Sequence, residues 1–402
     1  MPQCAVYGTE SAETVPCALP PEIWEFPVKD GLVVARPDVQ GLFCLNDSAR
    51  VIWEAYRATG CSASASEVLA EVFELSLEIA QRDVARTLAA WADSHLLGPR
   101  CAAPALTPST AYARVPVQAV HCRIGNARFR LEMDSIEAVN EILPRIESIR
   151  VEPSEPGIVM RVSEADCGFA VLRDGTCFAV EESVAGARTV LFQEMVRLAE
   201  PGREWLALCH AGACGMNGRC IIFPAASFSG KTTLAAKLMK SGYVAYSDDF
   251  VGLEGSRLCI PAMPFALAIR SGSWEVLDCL LPELRDREIH LRFGEPVKFW
   301  PSNLAEDEDS AQPVAIVFSR WEKDAAVCLR SLTTMDALER LNECGFWVKH
   351  DRQSVGKFLG WLEGLPKYEL RYGDLAQAVS YVDDVLSEAG MRLRDTGLSE
   401  SP

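Results

Sequence analysis

The spacing of apolar residues changes period along this chain, and each change marks an element. Residues 32–35 and 42–45 are short apolar runs joined by a turn with Pro37 and Gly41, which predicts a hairpin. Asn46 or Asp47 is placed to cap a helix over 48–56, whose Ala49, Ile52, Trp53 and Tyr56 share a face. Ser64-Ala65-Ser66-Glu67 reads as a capping box opening a second helix, which carries Val68, Leu69, Val72 and Phe73. A third helix is expected over 77–95, with Val84, Leu88 and Trp91 facing inward and a stop at Gly98-Pro99-Arg100. Residues 101–116 hold Pro104, Pro108 and Pro116 and read as a linker.

Beyond the linker, 117–124 and 127–131 predict a hairpin about Gly125-Asn126, and 135–143 a helix ended by Pro144. Short strands are expected at 149–151, 157–162, 169–173 and 177–180, with Asp174-Gly175 as a tight turn. The expectation is an antiparallel sheet leading, through a helix over 185–198 and a strand at 205–208, into a second region. That region carries the most specific stretch of the chain. Residues 220–223 are an apolar run, 224–229 a small-residue loop, then Gly230-Lys231-Thr232-Thr233, a helix over 234–239 with Gly242 able to end it, and a strand at 244–246 running into Ser247-Asp248-Asp249. Later strands are expected at 265–269, 296–300, 314–319 and 368–372, with 327–329 pairing with 314–319. Helices are expected over 333–341, 355–362 and 375–386. The plan is a lead-in (1–22), a small domain (23–100), the linker (101–116), an antiparallel α+β part (117–200), an α/β part (201–390) and a tail (391–402).

Strand, small loop, Gly-Lys-Thr and helix is the context a phosphate-binding loop requires. Unpaired amides at a helix start, with the helix dipole, favour an anion there. In that reading Ala225, Ala226, Ser227, Phe228, Ser229, Gly230, Lys231, Thr232 and Thr233 wrap the phosphates, and Lys231 sets a point charge beside them. Thr232 and Asp248 or Asp249, at the end of the strand expected to neighbour the loop strand, would hold Mg²⁺, and one of the two aspartates would take a proton from the acceptor. Ala225 stands where the pattern has its first glycine; alanine fits there at negative φ and is strained at positive φ.

These residues, with His210 ahead of the loop strand, resemble the HPr kinase/phosphorylase family and its HPr-kinase-related relatives over roughly 206–386. The resemblance implies an α/β P-loop core of the phosphoenolpyruvate carboxykinase type, with ATP, Mg²⁺ and a protein hydroxyl as acceptor. It matches Lys231 and Thr232 to the phosphate and metal positions, Asp248 and Asp249 to the acidic pair, and His210 to the histidine before the strand. The chain lacks the family's Glu-Ile-Arg-Gly-Leu-Gly-like run. Residues 266–276 stand in its place, with Arg270 set to meet a phosphate, so HPr itself is not implied as the acceptor. The run GLFCLNDSARVIWEAY, within hairpin plus three helices, is similar to the PqqD family over about 26–98. That family's small winged-helix-like domains carry the leader of a precursor peptide. The likeness implies strand addition at an open hairpin edge, with 32–35 and the helix of Ile52 and Tyr56 as the contact.

Charge and cysteines narrow the classes. A net charge of −17 argues against nucleic acid and against an anionic membrane. The third helix carries no basic stripe, against a DNA-binding winged helix. No signal-like start and no apolar run of membrane-spanning length occur, so a cytoplasmic protein is expected. The fifteen cysteines read as free thiols, and the spacing of Cys209, Cys214 and Cys220 beside His210 matches no usual zinc pattern. The leading expectation is a kinase acting on a Ser or Thr hydroxyl of a ribosomally made peptide. The alternatives are a kinase of a small metabolite or sugar and a nucleotide-gated peptide chaperone; a second copy of the chain remains open as a partner.

Overall fold

The structure is a computed structural model. It describes residues 19–20, 22–98, 115–153, 157–224, 229–292, 294–304 and 310–395, with side chains in the last helix to residue 388. The start of the lead-in, most of the linker, loop residues Ala225, Ala226, Ser227 and Phe228, the acidic run 305–309 and the tail from 396 lie outside the described residues. The chain is a mixed α/β protein that divides into two compact units, 1–103 and 104–402. Ten α-helices occur among the described residues, and no described helix is long and apolar enough to cross a membrane.

The first unit runs β1 (Trp24–Val28), β2 (Gly31–Arg36), β3 (Val39–Leu45), α1 (Asp47–Thr59), α2 (Ser62–Val72) and α3 (Leu77–Asp93). Asn46 caps α1, its side chain accepting from Ala49 N. Ile52, Trp53 and Tyr56 are buried against Val34, Leu45, Leu69 and Val84. The Trp53 indole donates to Glu25 Oε1 at 2.8 Å and meets Trp91 edge-on. Three expectations are corrected here. The capping box does not form: α2 starts at Ser62, before the Ser64–Glu67 box, with no side-chain cap. Of the apolar residues assigned to α2, only Leu69 is buried; Val68, Val72 and Phe73 are exposed. The hairpin is a three-stranded sheet ordered β1-β2-β3, so residues 32–35 sit on the central strand with both sides paired. No strand can add there, because its backbone groups are already used. The outer edges are those of β1 and β3.

The second unit opens with β4 (Gln118–Ile124), β5 (Ala127–Met133), α4 (Ile136–Ile142), β6 (Arg150–Val151), β7 (Ile158–Ala165), β8 (Gly168–Arg173), β9 (Thr176–Glu181) and α5 (Val184–Leu198). The six strands form one sheet ordered β6-β4-β5-β7-β8-β9. It is mixed rather than antiparallel: β5 and β7 run parallel, because α4 intervenes and returns the chain in the same direction. Its core joins Phe129, Leu131, Met160 and Val162 to Leu191, Phe192 and Met195 of α5.

There follow β10 (Trp205–Cys209), β11 (Ala211–Met216), β12 (Arg219–Pro224), α6 (Lys231–Lys240), β13 (Val244–Ser247), β14 (Val251–Glu254), β15 (Ile260–Pro261), β16 (Leu267–Arg270), α7 (Trp274–Leu277), β17 (His290–Arg292) and β18 (Glu295–Trp300). The chain continues through β19 (Ser310–Trp321), β20 (Cys328–Ser331), α8 (Thr334–Cys344), β21 (Phe346–Val348), α9 (Arg352–Gly364), β22 (Lys367–Tyr372) and α10 (Leu375–Asp395). The main sheet is ordered β13-β11-β12-β19-β22-β20, with β15 also on β19. At its centre β12, β19 and β22 run parallel. Two small sheets, β14-β10-β21 and β16-β18-β17, flank it. α6 and α10 cover the main sheet, with Leu234, Leu238 and Val382 against Phe223, Val317 and Leu370.

Two corrections concern order. β20 pairs with β22, not with β19, since β22 inserts between them. The strand leading to Asp248 is not next to the loop strand; β11 lies between. No strand was expected at β11, because Ala211-Gly212-Ala213-Cys214-Gly215 lacks β-branched and aromatic residues. Gly215 explains that composition: a Cβ there would lie 1.8 Å from Arg219 O on β12. Gly215→Ala is therefore expected to destabilise the protein by about 2–3 kcal/mol. Gly360→Ala, in α9 with nothing within 4 Å of the added Cβ, is expected to stabilise it by about 0.5–1 kcal/mol. Urea unfolding of the two variants checks both signs.

Candidate active site

The site forms where β12, β10 and β13 end. Gly230 precedes α6 at φ 90°, and no side chain caps the helix. A Cβ at Gly230 would stand 2.9 Å from Tyr372 Oη and 3.0 Å from Trp321 Cβ, so conformation and space both require glycine. Uncapped amides at the start of a ten-residue helix make this end attractive to an anion.

Lys231 Nζ lies 3.4 Å from His210 Nε2, joining the end of β10 to the first turn of α6. An ammonium only donates, so Nε2 accepts and the imidazole carries its proton on Nδ1. Burial, and then Lys231 beside it, push the His210 pKa down to about 4. The Thr232 hydroxyl donates to Asp248 Oδ2 at 3.3 Å, while Asp248 Oδ1 is buried with no hydrogen-bond partner among the described residues. Thr233 Oγ1 lies 2.6 Å from Ser273 Oγ, linking α6 to the turn before α7.

The two adjacent aspartates have opposite surroundings. Burial raises the pKa of Asp248 above the usual carboxylate range, with Lys231 opposing the shift and Asp249 adding to it. Burial would raise Asp249 too, but Arg188, Arg145 and Arg292 outweigh it and hold that carboxyl well below the usual range. Arg188 Nη1 pairs directly with Asp249 Oδ2; Arg292 Nη2 and Arg145 Nη1 lie 3.7 and 3.8 Å from the same oxygen. Glu141 Oε1 sits 2.9 Å from Arg188 Nε and 3.4 Å from Arg292 Nε. Burial, and then the neighbouring Arg188, push Arg145 down to about 9.

Sequence reading missed these three arginines and Glu141. Arg188 was legible in principle: it falls on the stripe Val184, Ala185, Arg188, Leu191, Phe192, Met195, a charge at the buried face of α5. Arg145 and Arg292 leave no such trace, because neither element shows a periodic face.

A cavity of about 1420 Å³ opens over the site. It is lined by Ser229–Thr233, Asp248, Asp249 and His210, by Arg188 on one side, and by Trp321 on another. Small-ligand pockets span about 300–1,000 Å³, so this one has room for more than a single small ligand. Arg270 reaches the cavity from the end of β16 but lies 3.3 Å from Glu295 Oε2, which offsets part of its charge. Ala225, Ala226, Ser227 and Phe228 are outside the described residues. Among the described residues no group of three or more His, Cys, Asp or Glu is arranged to hold a metal. Burial pushes the Cys209 thiol up to about 12 and raises those of Cys214 and Cys220 as well.

Two outcomes follow. Asp249→Asn leaves buried guanidinium groups uncompensated and is expected to destabilise the fold by about 3–5 kcal/mol. Asp248→Asn removes a carboxylate the fold holds reluctantly and is expected to change stability by under about 1 kcal/mol or to increase it. Denaturant melts of both variants decide; equal losses would contradict the contrast. For His210, the folded pKa near 4 lies below the 6.5 of the free ring, so the unfolded chain binds the proton more readily. Its contribution to stability is complete above 6.5 and is lost as the pH falls toward about 4. Ring proton resonances of His210 are expected to stay put between about pH 8 and pH 5.5, and a midpoint near 6.5 would contradict this. No protein-family model matches the chain and no curated protein does, so the role of the site rests on its geometry.

Proposed function

We propose that the second unit is a P-loop phosphotransferase of the HPr-kinase-related, phosphoenolpyruvate carboxykinase-like type, moving the terminal phosphoryl group of Mg²⁺–ATP to an alcohol. The observation that carries this reading is the pair of contacts at one helix start: Lys231 to His210 and Thr232 to Asp248. A triphosphate needs a helix N-terminus, a lysine and a hydroxyl for its metal, with a carboxylate nearby for the acceptor proton, and these four lie together. Thr232 Oγ1 is a hard oxygen donor of the kind magnesium takes, and phosphate oxygens and water would supply the rest of the shell. When bound, the metal would neutralise charge on the phosphate oxygens.

Among the two aspartates, Asp248 is the better proton acceptor. Burial raises its pKa above the ordinary value and it sits beside Lys231 and Thr232, whereas Asp249 is held low by guanidinium groups and suits a positioning role. The acceptor O–H proton passes to Asp248 as its oxygen bonds phosphorus and the bond to the leaving diphosphate breaks. Lys231 stabilises the charge on the transferred group, and neutral His210 orients Lys231.

For the first unit we propose a PqqD-like peptide-carrying role, supported by its three-stranded sheet backed by three helices. The leader would add to the outer edge of β1 or β3 rather than to residues 32–35. The acceptor is then a Ser or Thr of that precursor peptide. A second reading, a small metabolite as acceptor, is favoured by one fact: every described residue lining the cavity belongs to the second unit.

The test is incubation with Mg²⁺–ATP and Ser- or Thr-bearing peptides, read by mass spectrometry as a gain of one phosphate. Lys231→Ala is expected to lower kcat about 10²–10³-fold. Asp248→Asn is expected to keep Mg²⁺–ADP binding in calorimetry while losing about 10²–10⁴-fold in transfer. Wild-type protein with no affinity for Mg²⁺–ADP would end the kinase reading. Nucleotide binding without transfer to any peptide or metabolite would leave the nucleotide-gated chaperone as the function. An acceptor KM indifferent to substitutions on the β1 and β3 edges would favour the metabolite.

A further inference from the structure

Residues 229–233 line only part of the cavity, and the wall beside them has a distinct chemistry. In the main sheet β12 ends at the loop, β19 is its parallel neighbour and β22 the next. Ligands of parallel sheets gather at the carboxyl ends of the strands, so the residues that end β19 and β22 face whatever extends from the phosphates. Those residues are Trp321 and Tyr372, which are register partners across the two strands.

Tyr372 is fully buried and turns its hydroxyl toward the loop, 3.5 Å from Gly230 O. Trp321 is fixed to the same loop by its backbone, its N–H donating to Ser229 O at 3.0 Å. Its Cβ also sets the limit on space at Gly230. Yet the residue is 51 % exposed and lines the cavity. A lone exposed tryptophan needs no explanation. One whose main chain is bonded to Ser229 and which is half exposed while lining the same cavity is a prepared flat surface. Leu375 and Ala376, at the start of α10, continue this wall. The nearby Asp374 carboxylate is used in capping that helix, accepting from Gln377 N at 2.8 Å.

We propose that Trp321 is the platform on which the nucleotide base stacks, so that the indole and the phosphate loop grip opposite ends of one nucleotide. This rests on the nucleotide reading of the loop and adds to it the residue that distinguishes a nucleotide from bare polyphosphate. Aromatic stacking discriminates by the presence of a flat π-system rather than by hydrogen-bond pattern.

The experiment compares two probes by calorimetry on the full chain: Mg²⁺–ADP, and Mg²⁺–pyrophosphate, which offers phosphates and no base. Trp321→Ala keeps the Cβ that abuts Gly230 and removes the ring. The expected result is Mg²⁺–ADP binding weakened roughly 5- to 150-fold, with pyrophosphate affinity unchanged within about twofold, and most of the loss recovered in Trp321→Phe. Retained pyrophosphate binding also shows that the variant is folded. Unchanged Mg²⁺–ADP affinity would overturn the proposal while leaving the phosphate-loop reading intact. So would a parallel loss for both probes, which would make Trp321 a brace for the loop. Wild-type protein that binds neither probe would overturn both readings.

Discussion

The site depends on one buried arrangement: the Asp249 carboxylate at the meeting point of Arg188, Arg145 and Arg292. Isolated, each of these charges would be costly to remove from water, and together with Glu141 they are tolerable only while all are present. The arginines come from α5, the turn after α4, and β17, so the cluster fastens the mixed six-stranded sheet to the end of β13. Its consequence for chemistry is separation of two neighbours. Asp249 is saturated with positive charge, and the chain direction set by that anchoring leaves Asp248 beside Thr232 and Lys231 with one oxygen unpartnered. Adjacent carboxylates in similar surroundings would share a fate; here the scaffold gives them opposite ones.

What could be read in the sequence follows the range of the interactions involved. The strand end and helix start around Gly230 were legible because their requirements are local: an apolar run, Gly230 for a left-handed turn, and Lys231 and Thr232 opening the helix. The third helix, the cap at Asn46 and the strands around Asp174-Gly175 were legible for the same reason. Pairing between distant strands was not. Nothing in residues 32–35 announces that β1 occupies the edge a hairpin would leave open, and nothing in 327–329 announces that β22 inserts beside it. β11 was invisible because its glycines answer to the β12 backbone, a constraint absent from any propensity. The arginine cluster spans Glu141 to Arg292, and only Arg188 left a local sign.

The failed capping box has a similar lesson. Ser64–Glu67 satisfies the pattern, but the helix has already begun at Ser62, with the Ala65 N–H bonded to Cys61 O and the Ser66 hydroxyl to Ser62 O. Ser64 therefore lies inside the first turn, where its own backbone is helical and it cannot act as a cap, a choice of start worth about 1 kcal/mol that a four-residue pattern does not settle.

Electrostatics then raise the question of how an acidic protein would receive a polyanion. The chain carries a net −17, so at long range it repels nucleotides. At physiological salt, however, charges on the surface are screened beyond about 8 Å, and the nearest groups dominate what a ligand meets. Inside the cavity those groups are Lys231, Lys237, Arg188, Arg270 and Arg292 set against Glu181, Asp248, Asp249, Glu295 and Asp374, so the lining is near balance and the placement of each charge decides. Asp249 is already spoken for by the arginines. On the proposed reading magnesium would lower the charge of a nucleotide before entry, and the start of α6 would add a fixed positive end that salt screens poorly once water is displaced. The same acidic exterior disfavours nucleic acid, whose extended backbone could not enter such a cavity and would meet only the repelling surface. What would favour a compact anion at this end is thus Lys231 beside the start of α6, a local placement of charge rather than the total the chain carries.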